Sequence, residues 1–138
     1  MDRISAAHRS WNMSRIRSKD TTPEKAVRSF LHRLGFRFRL HSRALPGSPD
    51  ISLPAHRVAI FVHGCYWHRH KGCKAATTPK TRKAFWAAKF EANVARDRRA
   101  RAQLRARGWS TLTIWECQTK TGAQLAKALT RVTALVGV

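Results

Sequence analysis

Val58-Ala59-Ile60-Phe61-Val62, followed directly by His63-Gly64-Cys65-Tyr66-Trp67-His68-Arg69-His70-Lys71-Gly72-Cys73, is the stretch around which the rest of this chain can be organised. The unbroken apolar run reads as a buried β-strand. The eleven residues after it hold three His, two Cys and two aromatic rings. A strand that ends in metal-ligand residue types puts chemistry at a fixed point on a rigid scaffold, so a metal is expected here.

The whole chain has 138 residues, enough for one domain around one core. Its 28 Lys plus Arg stand against 7 Asp plus Glu, a formal charge of +21. Self-repulsion of that size opposes folding, and its use is to meet a polyanion. Arginine predominates, and its planar fork suits phosphates and guanine edges, so nucleic acid is the expected partner. No apolar run reaches the roughly 18 residues needed to span a bilayer, and the polar N-terminus does not resemble a signal peptide. Three cysteines are an odd number for a disulfide framework. Reduced thiols in the cytoplasm, available to a metal, are the simpler expectation.

Working outward from the strand gives the element order. Residues 1–20 are polar and basic and read as an N-terminal arm, with a single domain over 21–138. Thr21-Thr22-Pro23-Glu24 signals a helix start with a capping box, Ala26, Val27, Phe30, Leu31 and Leu34 follow at helical spacing, and Gly35 stops it. Phe36, Phe38 and Leu40 alternate with basic residues as in a half-exposed strand, and Ile51 and Leu53 mark a short second strand. After the His/Cys cluster and a basic loop over 74–82, a long helix is predicted from about Thr81 to Arg107. A fourth strand covers 109–117 and a final helix runs from Ala123 to Leu135. The order is α-β-β-β-α-β-α, a meander followed by a helical crossover, which makes the last strand parallel to its neighbour.

If the third and fourth strands are adjacent, their C-terminal ends coincide, and Cys117 reaches Cys65, His70 and Cys73. Zn2+ held by those four residues has no open position and is structural. The spacing leaves open which of His68, His70 and Cys73 coordinates. Asp50, after Ser48-Pro49, begins a strand neighbouring the one that bears His63. With so much positive charge around it, Asp50 is expected to stay ionised and to suit a hard cation such as Mg2+. His63 and His68 are then the imidazoles left to take a proton from water. Cation, base and phosphate-binding residues together are the equipment for phosphodiester hydrolysis.

Ser48-Pro49-Asp50, Ile60 to His68, the Cys/His set, Phe85-Trp86, Asn93 to Arg99 and Trp115-Glu116-Cys117 resemble the very-short-patch repair (Vsr) DNA mismatch endonucleases from about residue 8 to 117. The resemblance implies a restriction-endonuclease-like fold of the PD-(D/E)xK type, a mixed sheet flanked by helices, with Phe61-Val62-His63 replacing the usual acid and lysine. It implies Asp50 and the Val62 main-chain carbonyl as Mg2+ ligands, His68 as general base, His63 at the phosphate or at a water on the metal, and Glu24 supporting the metal's water shell. Two departures stand out: Val62 replaces the family's Thr, and the His70-Lys71-Gly72-Cys73 segment is one residue longer, which bears on the zinc geometry.

The resemblance also implies that Tyr66, Trp67 and Trp86 wedge beside a mismatch from one groove and Met13 from the other, since a mismatched pair unstacks at lower cost. Lys89, Asn93 and Arg96 share a helix face suited to bases and phosphates, and Asp97 beside them is expected to orient His68. Trp109 and Trp115, at alternating strand positions, are assigned to the core. The expected activity is a Mg2+-dependent nick 5′ of the thymine of a T·G mismatch, left by deamination of 5-methylcytosine. A nucleoid-associated monomer is expected, with accessory repair proteins as further partners. The rivals are a nickase or restriction enzyme with another site, and a zinc-stabilised DNA-binding module that never hydrolyses.

Overall fold

Thr21 caps the first described helix, α1 (Thr22–Arg33), its Oγ1 accepting from the Glu24 N–H at 3.3 Å. This is half of the expected capping box, because the Glu24 carboxylate turns inward to Arg28 instead. Gly35, at φ 85°, lets the chain leave the helix, and the Phe36 N–H donates to the Leu31 carbonyl at 3.1 Å. In this computed structural model residues 21–73 and 80–136 are described, so the arm over 1–20, with Met13, and most of the basic loop lie outside the described residues.

The described residues form a four-stranded sheet in the order β1 (Arg39–Leu40), β2 (Ile51–Leu53), β3 (Val58–His63), β4 (Ser110–Trp115). The first two pairings are antiparallel and β3 pairs with β4 in parallel, as the long helical crossover requires. That crossover is α2 (Lys83–Ala106), and α3 (Gly122–Val136) follows a 3-10 turn at Glu116–Thr119. The first strand is shorter than its alternation predicts. Phe36 and Phe38 pack sideways on the core rather than pairing, and Arg39 and Leu40 are exposed at the sheet edge.

The pleat sorts β3 onto two cores. Val58, Ile60 and Val62 join Val27 and Leu31 of α1 and Leu125, Leu129 and Val132 of α3. Ala59 and Phe61 face Ala100 and Leu104 of α2. Each fully buried aliphatic side chain contributes roughly 1.5–3 kcal/mol, so the larger core under α1 and α3 carries most of the fold. The consequence for function is directional. His63, two residues after Phe61, is on the α2 side, whereas the residues brought by α1 are on the other. No helix among the described residues is long and apolar enough to cross a membrane.

The loop before β2 is held close to α2 by Gly47. Its φ is 75°, and a Cβ there would lie 2.5 Å from the Ala100 Cβ and 3.3 Å from the Phe61 ring. Only glycine fits this approach. With Pro49 fully buried two residues on, the loop delivers Asp50 to the C-terminal end of β3, opposite the start of β2.

Candidate active site and metal centre

Three groups of metal-ligand residue types gather around that end of the sheet: Cys65, His70, Cys73 and Cys117; His63, His68 and Asp97; and Glu24, His41 and Asp50. In each group the ligand atoms lie within 4.8 Å of one another.

The first group joins the turn after β3 to the turn after β4. In-register pairing sets His63 beside Trp115, so the residues just beyond, Cys65 and Cys117, emerge together. His70 Nδ1 lies 3.7 Å from Cys65 Sγ and 3.5 Å from Cys117 Sγ. Tetrahedral zinc with ordinary Zn–S and Zn–N bonds separates a sulfur from a nitrogen by about 3.6 Å, so the spacing fits that ion. The longer His70–Cys73 segment is accommodated by Gly72 at φ 72°, with the Cys73 N–H donating to the His70 carbonyl at 3.3 Å. Burial, above all, pushes the Cys65 thiol up to about 12, with the neighbouring thiols adding to it and the Cys117 N–H, 3.4 Å from the sulfur, opposing. Such a thiol keeps its proton in the absence of a metal and releases it to solvent when a cation binds the sulfur. His70, not His68, belongs to this group, and its ring stacks on Trp115 at 4.2 Å and 9°.

A single backbone feature separates the two histidines. Arg69, between them, has φ 55°, a left-handed conformation that an L-residue adopts only when held. Its guanidinium lies 4.2 Å from the Phe90 ring centre and donates to the Tyr66 carbonyl at 3.3 Å. The kink sends His70 to the cysteines and His68 toward α2.

There His68 Nδ1 meets Asp97 Oδ2 at 2.6 Å, as expected from the sequence. Burial works to raise the Asp97 carboxyl, but the His68 hydrogen bond and the charges of His63, His68 and Arg101 together bring it below the usual range. An ionised Asp97 at that distance fixes the His68 proton on Nδ1 and leaves Nε2 as the free base. His63 stacks on His68 at 3.8 Å and 5°, with its Nε2 3.9 Å from Asp97 Oδ1. Burial pushes His63 down to about 3, helped by His68 and Arg101 and opposed by Asp97. It is a neutral neighbour, and its Nδ1 has no partner among the described residues.

Across β3, Asp50 Oδ2 accepts from the Val62 N–H at 2.7 Å. The expectation that the chain's positive charge keeps Asp50 ionised is reversed. Burial first, then the charge and hydrogen bond of Glu24, push its carboxyl up to about 7, against the Val62 N–H and Arg28. Net charge is a long-range, salt-screened property, whereas this carboxyl answers to its burial and its nearest neighbours. Two carboxyls buried against each other call for a proton or a cation between them, which is the donor chemistry a hard divalent ion uses. His41, one of the basic residues alternating along the expected first strand, and Arg28, which the sequence reading did not single out, complete this group.

The aromatic residues also differ from expectation. Trp86 is 9% exposed, stacked on Phe90 at 5.9 Å and near Trp67 at 6.1 Å, while its neighbour Phe85 is 46% exposed. Trp115 is not simply core: it lies on His70 and edge-on to His63 at 5.4 Å, linking the cysteine group to the imidazole pair. Its alternation pointed to the interior; only the register with His63 shows the link. Lys89 lies 5.5 Å from the Trp67 ring centre and 5.6 Å from that of Trp86. Asn93 is committed to the Trp67 carbonyl at 3.4 Å, and Arg96 is exposed on the same helix.

The family model described as DNA mismatch endonuclease Vsr matches residues 1–75. The type II nicking enzyme V.XorIIP of Xanthomonas oryzae pv. oryzae is 52% identical over 85% of this chain and 85% of its own length. The chain belongs to the Vsr family. The DNA mismatch endonuclease Vsr of Escherichia coli K12 is 44% identical over 80% of this chain and 70% of its own. V.NmeAIP, a type II nicking enzyme of Neisseria meningitidis serogroup A, is 36% identical over 95% and 93%. This member of the Vsr family is accordingly a DNA endonuclease.

Proposed function

We propose that this endonuclease nicks one strand 5′ of the thymine of a T·G mismatch, in repair of deaminated 5-methylcytosine, with Mg2+ at Asp50 and the Val62 carbonyl and Zn2+ at Cys65, His70, Cys73 and Cys117. The observation that carries the reading is the 2.6 Å contact between Asp97 and His68, with neutral His63 stacked alongside. His68 Nε2 takes the proton of the attacking water, and Asp97 stabilises the imidazolium that forms. His63, uncharged, adds no repulsion to that imidazolium and meets the phosphate. Mg2+, when bound, supplies positive charge to offset the charge developing on the phosphate and the leaving oxygen. Glu24 supports that cation from α1. Zn2+, when bound, ties the ends of β3 and β4 and so fixes the His63–His68 turn.

The antiparallel, antiparallel, parallel strand sequence supports a restriction-endonuclease-like fold of the PD-(D/E)xK type, with one domain over 21–138 and an arm over 1–20. Tyr66, Trp67 and Trp86 wedge beside the mismatch, which for Trp86 requires turning out from Phe90, and Met13 enters from the opposite groove. Lys89 and Arg96 contact the backbone, while Asn93 reaches the DNA only by releasing Trp67. The enzyme works as a nucleoid-associated cytoplasmic monomer, since a single-strand nick needs one active site, and accessory repair proteins follow it.

A second reading has one observation in its favour: the 52% identical Xanthomonas relative is named a type II nicking enzyme, and on this reading the chain nicks without requiring a T·G mismatch. The test is a labelled duplex library, T·G, other mismatches and matched pairs, incubated with zinc-loaded protein and Mg2+. A nick confined to the position 5′ of the mismatched thymine is expected. Equal nicking of matched duplexes selects the second reading, and binding without any nick leaves a non-catalytic module.

A further inference from the structure

The carboxylate group beneath α1 holds a cation of its own. Arg28 Nη2 lies 2.9 Å from Glu24 Oε2 and 3.1 Å from His41 Nε2. His41 Nε2 is 3.5 Å from the same Glu24 oxygen. The guanidinium is therefore set against two of the three side chains that a divalent ion at Glu24, His41 and Asp50 would use. The arrangement is built rather than incidental. Glu24 and Arg28 are one helical turn apart, and their side chains are 2% and 17% exposed. His41 is held at φ 48°, and its N–H donates to the Asp50 carbonyl at 3.1 Å.

We propose that Arg28 is a tethered counter-cation that satisfies Glu24 and His41 in the divalent-free enzyme and must let them go before a divalent ion loads. The proposal rests on the reading of Glu24 and Asp50 as that ion's site. An arginine stays charged at every working pH, so deprotonation cannot free the carboxylate; only displacement can. A guanidinium drawn off Glu24 and His41 is offered a strong anion by a DNA phosphate beside the site. Cation loading and DNA binding then favour each other, and by linkage the favour is mutual. The enzyme without DNA is kept weakly loaded.

The test is a titration of zinc-saturated protein with Mn2+ in the absence of DNA, followed by electron paramagnetic resonance. Four proteins are compared: wild type, Arg28→Gln, Asp50→Asn, and Arg33→Gln as a control that removes an exposed charge from the same helix. Arg28→Gln is expected to bind Mn2+ roughly tenfold more tightly than wild type, the scale of one lost hydrogen-bonded charge contact. Arg33→Gln is expected to stay within about twofold of wild type. Mn2+ is also expected to raise the melting temperature of Arg28→Gln by more than that of wild type, because the variant's acids have lost the positive charge of the guanidinium. Should Arg28→Gln fail to fold, Arg28→Lys carries the test, with tighter binding than wild type expected because an ammonium lacks the second arm of the fork. Binding by the Arg28 variant no tighter than by Arg33→Gln overturns the counter-cation while leaving the site intact. Unchanged Mn2+ binding by Asp50→Asn removes the site itself, and the counter-cation with it.

Discussion

The cysteine group beyond β3 and the carboxylate group beneath α1 lie at the same end of the sheet, yet they handle buried polarity in opposite ways. Cys65 is buried with its thiol pushed up to about 12, and its group offers three sulfurs and an imidazole nitrogen with no cationic side chain among them. The carboxylate group already contains Arg28, paired with Glu24 at 2.9 Å. On the proposed reading one cluster would depend on an ion for cohesion, whereas the other coheres through Arg28 and would exchange that cation for function. Structural and catalytic metals divide along the same line, since a closed site contributes folding energy and an open one holds its ion loosely.

Removing zinc tests that contrast with the largest expected effect. Stripping the metal with a chelator, or Cys65→Ser, is expected to cost several kcal/mol and lower the melting temperature by about 10 °C or more. Stripping Mg2+ is expected to move it by less than about 2 °C. Calorimetry with zinc content measured in parallel checks both, and equal shifts would erase the distinction. Next in size is Asp97→Asn, on the far side of β3 from the carboxylates. Without an ionised partner at 2.6 Å the His68 tautomer is no longer fixed, and the nicking rate is expected to fall roughly 100-fold with duplex affinity and zinc content unchanged. A fall in affinity instead would make Asp97 a DNA-binding residue.

The two clusters were unequally legible in the sequence. Three zinc-type ligands fall within 65–73, and the fourth followed from reading β4 as parallel to β3, so a local pattern plus one topological rule found the whole group. The carboxylate group draws Glu24, His41 and Asp50 from three separate segments. Asp50 stood out after Ser48-Pro49, and Glu24 came through the family resemblance, but His41 read as one of several alternating basic residues and Arg28 carried no signal of its own. Which loop crosses which helix is decided by Gly47 against Ala100, a contact between residues 53 positions apart that no local periodicity encodes. The bridging position of Trp115 was missed for a related reason: alternation tells which face a ring takes, not what waits there.

Gly47→Ala turns that hidden contact into a measurement. A Cβ 2.5 Å from the Ala100 Cβ, at φ 75°, is expected to cost about 1–3 kcal/mol and to displace Asp50. Nicking should fall more than stability does, and zinc content should hold. Loss of zinc in this variant would mean that the loop supports both clusters, against the independence argued above.

The pH dependence of the carboxylate group, measured on zinc-loaded protein without Mg2+, sharpens the comparison from the other side. Asp50 is raised from 3.8 to about 7, so between those values the folded protein keeps a proton that the unfolded chain has lost. Stability from this group is therefore fully present below about pH 4 and is lost as pH rises toward 7. His63, lowered from 6.5 to about 3, works the other way: the unfolded chain binds the extra proton, so its contribution grows over much of the same range. The wild-type profile mixes the two signs, and Asp50→Asn separates them because the amide does not titrate. The melting temperature of wild type minus that of Asp50→Asn is expected to decline steadily from pH 4 to 7. Mg2+ should flatten the decline by taking the proton's place. A difference that stays level without Mg2+ would mean that Asp50 ionises as it does in water, and that Arg28 and the Val62 N–H together offset its burial and the Glu24 charge.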